Sequence, residues 1–289
     1  MPVFLNENID HKKISGFSYS SRKPPEFMCH RMLRCHQCDL VFADAPPDES
    51  FLQQAYHLAE YDSADEAEDA ALAYSRAIQP ALARLTQFET ALEIGTGTGV
   101  FLAYLKQQGF DSVNGIEPSE TAIQAAPIER RDWIKMGMFD EADFPPSSFD
   151  LICCFMTLEH VSDPALIAKS VLNLLKPGGV FVTVTHNHRS LVNRLLGKRS
   201  PIVDIEHLQL FSNQSIHQLF HRAGFEAIEV KSFTNRYTLR YWLRLSPIPS
   251  VLKKTLTRIF NTPVLRDLRV GINVGNTIAY GFRKQSVET

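Results

Sequence analysis

The chain has 289 residues, of which 44% are hydrophobic and 21% charged, and its formal net charge is −2. This composition is typical of a soluble globular protein with one α/β domain and an accessory segment. No apolar run approaches the roughly 20 residues that span a bilayer, and the N-terminus lacks the pattern of a signal peptide. We therefore expect a cytoplasmic protein whose five cysteines need not form disulfides.

Charge is distributed unevenly along the chain. Residues 44–75 contain nine acids and no Lys or Arg, whereas residues 231–284 contain eleven Lys or Arg and one acid, Asp267. These shifts predict an N-terminal cap over 1–75 and a main domain over 76–289, with a basic aromatic lid or insertion at about 233–272. The acidic N-terminal half and the isoelectric point of 6.6 make nucleic acid an unexpected partner.

The glycine-rich stretch at 92–119 predicts a strand, a tight turn, a helix and a second strand that ends in an acid. It has neither the third glycine of a dinucleotide turn nor the lysine of a phosphate-binding loop. Glu93 would repel a pyrophosphate, but it suits the ammonium and sulfonium groups of S-adenosylmethionine. Glu117 is placed to accept hydrogen bonds from ribose hydroxyls. The alternative is that both acids are solvated strand ends.

The remaining elements alternate between strands and helices. The patterns predict a helix within 51–85, strands at 131–137, 148–160, 180–186, 225–232 and 276–284, and helices at 163–179 and 212–225. The apolar run within 148–160 should lie at the sheet centre. Asp163 and Ser212 are predicted helix N-caps, and Gly224 a terminator. We therefore predict an α/β, doubly wound, Rossmann-like fold with its ligand site at the strand C-termini.

In this order and spacing, the motifs resemble the class I S-adenosylmethionine-dependent methyltransferases, in the small-molecule branch that includes ubiquinone-type O-methyltransferases. The matching stretches are LEIGTGTG, GIEPS, FPPSSFDLICCFMTLEHVSDP, LLKPGGVFVTV and EHLQLFS with IHQLFHRAGF, and with looser matches they cover 35–284. The resemblance implies a seven-stranded sheet whose last strand is antiparallel. It also implies S-adenosyl-L-methionine as cofactor and S-adenosyl-L-homocysteine as product.

The resemblance also implies which residues bind the cofactor. Carried over by position, they are Glu93, Gly95, Thr96, Gly97, Gly99, Glu117, Pro118, Met138, Phe139, Phe155 and Met156, with Tyr61 (or Tyr56) covering the ligand. Met138 stands where the family usually has an acid for the adenine amino group. Adenine would then be held by backbone groups and by packing against Phe139. Met138 as a core residue, and the two tyrosines as helix-packing residues, are the alternatives.

A general base is needed only if the methyl acceptor must lose a proton. Histidine suits this role at neutral pH, and His160, His186 and His207 follow predicted strand ends. We predict His160 as the base, assisted by Glu159, with His207 as the next candidate. His186 stands where the family often has proline, so it is a candidate substrate contact. A structural role is the alternative for each histidine.

Two further segments carry open questions. Cys35-x-x-Cys38 resembles the second half of the zinc ribbon that often precedes this methyltransferase type. A structural zinc needs four ligands, and no upstream pair supplies the others, although Cys29, His30, His36 or His11 lie nearby. We therefore predict a degenerate ribbon without metal.

Arginines recur every four residues within 236–260, which predicts either a substrate lid, the interpretation we favour, or a peripheral contact with anionic lipid.

The functional prediction is an S-adenosylmethionine-dependent methyltransferase that acts on a small molecule, most simply by O-methylation. A phenolic, sugar or polyketide-like acceptor fits equally well. The alternatives are C- or N-methylation, methylation of a macromolecule, and a non-catalytic protein that binds the cofactor without turnover.

Overall fold

A computed structural model describes residues 1–21, 23–61 and 64–285, apart from the side chains of residues 64 and 250. The strands are β1 (Val3–Leu5), β2 (Met32–Arg34), β3 (Val41–Ala43), β4 (Thr90–Ile94), β5 (Ser112–Glu117), β6 (Ile134–Met136), β7 (Phe149–Phe155), β8 (Leu175–His186), β9 (Gln209–Leu210), β10 (Glu226–Ser232), β11 (Asn235–Thr238), β12 (Arg269–Ile272) and β13 (Asn276–Phe282). The α-helices are α1 (Glu49–His57), α2 (Ala64–Ala77), α3 (Gln79–Leu82), α4 (Val100–Gln107), α5 (Glu120–Ala125), α6 (Ile128–Arg131), α7 (Pro164–Leu174), α8 (Leu191–Leu196), α9 (Asn213–Ala223), α10 (Leu239–Leu245) and α11 (Ser250–Phe260).

The main sheet has seven strands in the order β10-β13-β8-β7-β4-β5-β6. Strands β8, β7, β4, β5 and β6 run parallel, and the last strand, β13, is antiparallel to both of its neighbours. This arrangement confirms the predicted doubly wound sheet. The parallel strands end at one edge, where the turn after β4 and the loops after β5, β7 and β8 meet.

Strand β7 lies at the centre of this sheet, as its continuous apolar run predicts. All seven of its residues are buried. Cys153 packs into the core cluster formed with α2 and α4, whereas Cys154 packs into the cluster formed with α7 and α9. Successive side chains of a strand point to opposite faces, so the two cysteines fill the cores on the two sides of the sheet.

The predicted helix caps are present. The Asp163 side chain accepts hydrogen bonds from the backbone of Ala165 and Leu166, Ser212 forms a capping box with Ser215, and Gly224 ends α9 with a φ of 104°. One expected boundary was wrong. Helix α7 ends at Leu174, and the Pro-Gly-Gly segment belongs to β8 rather than to a turn.

A second sheet has four strands in the order β1-β2-β3-β9. Three of its strands come from the N-terminal segment, but β9 lies beyond β8 and pairs with β3 through Val41 and Leu210. Cys35 and Cys38 lie in the turn between β2 and β3, and Cys29 is buried with its thiol directed at the Asn6 carbonyl. The division into a cap over 1–75 and a domain over 76–289 stays a prediction.

Two segments with a helical pattern in the sequence are each divided into several elements. The 51–85 stretch contains most of α1, then α2 and α3, and residues 62 and 63 between the first two lie outside the described part. The 236–260 stretch contains most of β11, then α10 and α11, because Pro247 and Pro249 separate the helices. None of the described helices combines the length and the apolar character that a bilayer crossing requires.

Candidate active site

A cavity of about 380 Å³ lies at the edge where the parallel strands of the main sheet end. Its walls come from the ends of β4, β5 and β7, from α1 and α2, and from α10 and its neighbouring strand β11. Tyr19 and Lys23 extend the wall from the N-terminal segment. The volume is in the range of sites that enclose small molecules.

The glycine turn after β4 forms one end of the cavity. Gly95, Gly97 and Gly99 have φ values of 77°, 57° and 68°, in the left-handed region that favours glycine. A Cβ on Gly95 would overlap the Thr157 side chain, whereas a Cβ on Gly97 would meet no described atom within 4 Å. Gly97 therefore gives a ligand direct access to the backbone.

Two acidic side chains flank this turn. Glu93 is buried and accepts a hydrogen bond from the Thr96 hydroxyl at 2.5 Å. The Glu117 carboxylate accepts hydrogen bonds from the backbone N–H of Gly97 at 2.7 Å and of Ser119 at 2.9 Å. Burial raises the pKa of Glu117, although those two donors oppose the rise. Each carboxylate oxygen can accept a second hydrogen bond, so Glu117 can still bind ribose hydroxyls.

The other predicted cofactor residues meet at the same cavity. Its wall includes Tyr61, Thr96, Pro118, Met138, Phe139, Phe155 and Met156. Gly99 is the exception, because it starts α4 and packs against Ile134 and Arg130. The buried Tyr61 hydroxyl has no hydrogen-bond partner among the described residues, and a bound ligand would supply one. Acids, exposed backbone and an unsatisfied hydroxyl together fit S-adenosylmethionine.

The three histidines also line this cavity and lie close to one another beside the Glu159 carboxylate. Glu159 itself is only 1% exposed, so it lies behind the wall. Its Oε1 accepts hydrogen bonds from the backbone N–H of His186 at 2.6 Å and from its ring Nδ1 at 2.9 Å. The sequence predicted Glu159 as the partner of His160. In the structure, the Glu159 carboxylate instead accepts hydrogen bonds from His186. The structure brings His160, His186 and His207 to one place.

Hydrogen bonds to acceptor oxygens assign a ring proton for two of the three histidines. His186 donates from Nδ1 to Glu159, and His207 donates from Nδ1 to the Ile202 carbonyl at 2.9 Å, so both keep an acceptor at Nε2. His160 Nδ1 lies 3.2 Å from the Tyr56 hydroxyl, and either group can be the donor of this hydrogen bond. Burial and His207 lower the pKa of His160 to about 3. Burial opposes ionisation of Glu159, but His186, His207 and His160 outweigh it and lower its pKa to about 2.

Two titratable residues beside the histidines were not identified from the sequence. Glu206 lies 3.6 Å from His160 Nδ1, and burial together with Asp204 raises its pKa well above the usual value. The raised pKa favours the protonated form of this carboxyl group, which can donate a hydrogen bond. Lys23 is buried and pairs with Asp204 and with Glu26. The position of Glu206 directly before His207 was the available signal.

The same cluster has the geometry of a metal site. Glu159, His160 and His207 each offer a ligand atom, and these atoms lie within 4.8 Å of one another. A carboxylate and two imidazoles form a donor set that suits a transition metal. No comparable group that includes a cysteine occurs in the described ranges. The expectation that the chain holds no metal stays a prediction.

Comparison with known proteins agrees with this geometry. Residues 66–230, more than half of the chain, match the family model described as "Methyltransferase domain". A ubiquinone biosynthesis O-methyltransferase from Neisseria meningitidis serogroup C is 26% identical over 164 residues, covering 50% of this chain and 66% of that protein. The enzyme of the same name from Idiomarina loihiensis is 32% identical over 133 residues, covering 44% and 52%. The chain thus spans between about half and just under two thirds of these relatives.

Solved structures share the fold. A methyltransferase from Thermotoga maritima, described as a possible histamine N-methyltransferase, is similar with a TM-score of 0.51 at 22% identity, covering 75% of this chain and 91% of that one. A second one, from Archaeoglobus fulgidus, has a TM-score of 0.50 at 16% identity, covering 81% and 100%. From the family match and the sheet order, we conclude that the chain belongs to the methyltransferase domain family.

Proposed function

We propose that the protein O-methylates a small, largely apolar molecule with an acidic hydroxyl, a phenol being the simplest case. The observation that carries the proposal is the Glu159–His186 hydrogen bond at 2.9 Å, next to a cavity that fits the cofactor. A buried carboxylate that fixes a histidine tautomer is an arrangement suited to removing a proton from a hydroxyl. Support for oxygen as the acceptor atom also comes from the similarity to proteins named ubiquinone biosynthesis O-methyltransferase.

When bound, S-adenosylmethionine supplies an electrophilic methyl group for in-line transfer. The chain has to hold the acceptor in line with that methyl group and to take up its proton. Glu159 positions His186 so that Nε2 faces the acceptor as a free lone pair. The hydroxyl proton would move to this nitrogen, and the bound cofactor would supply the methyl group to the oxygen, with S-adenosylhomocysteine as the leaving group. His207 also has a free Nε2 and is the second candidate base.

His160, the base predicted from the sequence, has a different part in this proposal. Its Nδ1 lies 3.2 Å from the Tyr56 hydroxyl, and its lowered pKa favours the neutral ring. We infer that Tyr56 donates this hydrogen bond, so that the ring proton lies on Nε2. A neutral ring with its proton on Nε2 can donate a hydrogen bond but cannot accept a proton there. We infer that His160 orients the acceptor, with the neutral Glu206 beside it as a further donor.

The acceptor side of the cavity determines the class of molecule that fits. Tyr19, Tyr241, Trp242 and Leu245 present aromatic and aliphatic surface to the cavity, and we infer that the acceptor contacts them. Aromatic walls favour a flat, apolar acceptor. Lys23 is the cationic side chain on this wall and already pairs with Asp204 and Glu26. A neutral acceptor therefore fits this pocket better than a multiply charged one.

Matched acceptors test the proposal. Phenols, anilines, thiols and carbon acids of the same ring size are incubated with S-adenosylmethionine that carries an isotopic label in its methyl group. Mass spectrometry of the products should show label on oxygen. Label found only on nitrogen or only on carbon would contradict O-methylation and would show that the protein is an N- or C-methyltransferase.

Single substitutions test the assigned roles with the best acceptor. His186→Asn should lower kcat by about 10²- to 10⁴-fold, the usual contribution of a general base. Glu159→Gln should lower kcat as well, because it changes the group that fixes the His186 tautomer. Neither should change the affinity for S-adenosylhomocysteine. The exposed His221→Asn on α9 is the matched control. If His186→Asn is fully active and His160→Asn is inactive, the proposal for His186 is wrong and His160 is the general base.

A further inference from the structure

The outer face of helix α11 combines exposed apolar and basic side chains. Val251, Leu252 and Ile259 are 74%, 54% and 47% exposed. At 100° per residue they share one side of the helix with Lys254 and Arg258. Lys253, Leu256 and Phe260 lie on the opposite side and are half-buried, and Lys253 donates to the Arg244 carbonyl of α10 at 2.9 Å. The helix therefore packs with its inner side on α10 and leaves an amphipathic side outward.

The turn after this helix continues the same pattern. Val264 is 85% exposed, and Leu268 and Arg266 are exposed close by. Helix α11 contains no acidic residue. Within the described part of the chain, Lys254 and Arg258 form no ion pair, and Asp267 pairs with Arg266. We call the outer side of 251–268 the α11 surface. It is apolar and positively charged at the same time.

We propose that the α11 surface docks on the surface of an anionic lipid bilayer. Short aliphatic side chains flanked by lysine and arginine are the pattern of helices that lie in a membrane interface, where the apolar groups enter the headgroup region and the basic groups meet lipid phosphates. The surface spans a helix and an irregular turn. A fluid interface accommodates such a shape without the fixed complementarity that a protein partner needs.

A second copy of the chain is a poorer occupant. A symmetric dimer uses the same surface on both subunits, so it would place Lys254 and Arg258 near their own counterparts. Like charges brought together in an interface oppose association. Negatively charged lipids instead satisfy every exposed basic group on this side.

Docking through the α11 surface would also bring the cavity close to the bilayer. Tyr241, Trp242 and Leu245 of α10 line the cavity, and α11 packs on α10 from outside. The same segment thus forms the wall of the acceptor pocket and the outer surface. A protein bound through α11 holds this wall against the bilayer, so that an apolar acceptor dissolved in the lipid reaches the pocket over a short path.

Vesicle co-sedimentation of the full chain tests the proposal without any acceptor. Wild-type protein should sediment with phosphatidylcholine vesicles that contain phosphatidylglycerol, should remain in solution with phosphatidylcholine alone, and should dissociate at high salt. K254E/R258E and V251D/L252D should each weaken binding by about tenfold or more. The control I128D/K169E changes one exposed apolar and one exposed basic residue on α6 and α7 and should bind like wild type.

Folding of each variant is confirmed by its melting temperature and its affinity for S-adenosylhomocysteine. If V251D/L252D does not fold, K254E/R258E still decides the question. Absence of wild-type binding to anionic vesicles, or equal binding by K254E/R258E, would overturn the proposal. A change of mass in light scattering for V251D/L252D, without wild-type vesicle binding, would also overturn it and would identify the α11 surface as a contact between copies.

Discussion

The backbone N–H of Gly97 donates to Oε2 of Glu117 at 2.7 Å. This bond joins the glycine turn after β4 to the end of β5, and the Ser119 N–H holds the other carboxylate oxygen at 2.9 Å. Glu117 is therefore held in place by the backbone before any ligand binds. Such preorganisation reduces the ordering that binding requires.

Glu117→Ala should weaken S-adenosylhomocysteine binding by about tenfold or more, because hydrogen bonds to a charged group contribute roughly 1.5–3 kcal/mol. Isothermal titration calorimetry measures the change, with NAD as a ligand that should not bind. Glu120→Ala, on the exposed side of α5, serves as the control. Unchanged affinity in Glu117→Ala would show that Glu117 does not bind the ribose.

Alanine at the two cavity glycines should have different effects. Gly95→Ala adds a Cβ that overlaps Thr157 in addition to the cost of left-handed backbone, so it should lower Tm and remove cofactor binding. Gly97→Ala meets open space, so only the backbone cost of roughly 1–2 kcal/mol applies to its folding. Its cofactor affinity should still fall, because the added methyl group lies where the ligand approaches. Equal melting temperatures for the two variants would contradict this.

Glu206→Gln should stabilise the protein at neutral pH. The raised pKa of Glu206 means that the folded chain keeps a proton which the unfolded chain loses as the pH rises above about 4.5. Stability then falls with rising pH up to the folded pKa, because the unfolded state binds fewer protons in that window. Glutamine does not titrate. The expected gain at pH 7 is about 2–4 °C in Tm, which corresponds to roughly 1 kcal/mol.

The stability gain of Glu206→Gln should disappear near pH 4, where Glu206 is largely protonated in both the folded and the unfolded chain. Thermal melts across this range measure the difference between variant and wild type. Glu129→Gln, on the exposed surface of α6, should show no such pH dependence. A constant difference at all pH values would indicate a packing effect instead of a titration.

Protein purified without chelator should contain no stoichiometric zinc at the cysteines. Burial raises the pKa of the Cys29 thiol to about 11, which opposes the thiolate that zinc requires, and its thiol points at the Asn6 carbonyl. Inductively coupled plasma mass spectrometry gives the metal content. One zinc per chain that is lost in C35S/C38S would show an intact ribbon. A metal that persists in C35S/C38S but is lost in His207→Asn would place it beside Glu159.

Much of the fold followed from local signals. The apolar run of β7, the Asp163 and Ser212 caps and the glycine turn each fix a structure through neighbouring residues, and all of them are present. The 51–85 and 236–260 segments were harder, because helical periodicity does not show where a helix stops and resumes. Within 236–260, Pro247 and Pro249 were the residues that could have indicated the break between α10 and α11.

The cofactor end of the site was also more predictable than the acceptor end. Glu93 and Glu117 belong to a continuous motif, so their neighbours could be inferred from order along the chain. The partner of Glu159 could not be inferred in this way. His186 lies 27 residues further along the chain and meets Glu159 only because β7 and β8 are adjacent. Lys23 and Glu206 are likewise brought together by pairing of the N-terminal segment with β9.

That pairing affects how the protein is made. On the ribosome, β1, β2 and β3 emerge early, but the strand that completes their sheet, β9, is translated only after most of the main sheet. Long-range pairings of this kind form late in folding. Tyr19 and Lys23 therefore reach the cavity wall after the cofactor turn has been synthesised. We therefore expect the nascent chain to pass through a stage in which the site is open on its N-terminal side, and the acceptor pocket to close late in folding.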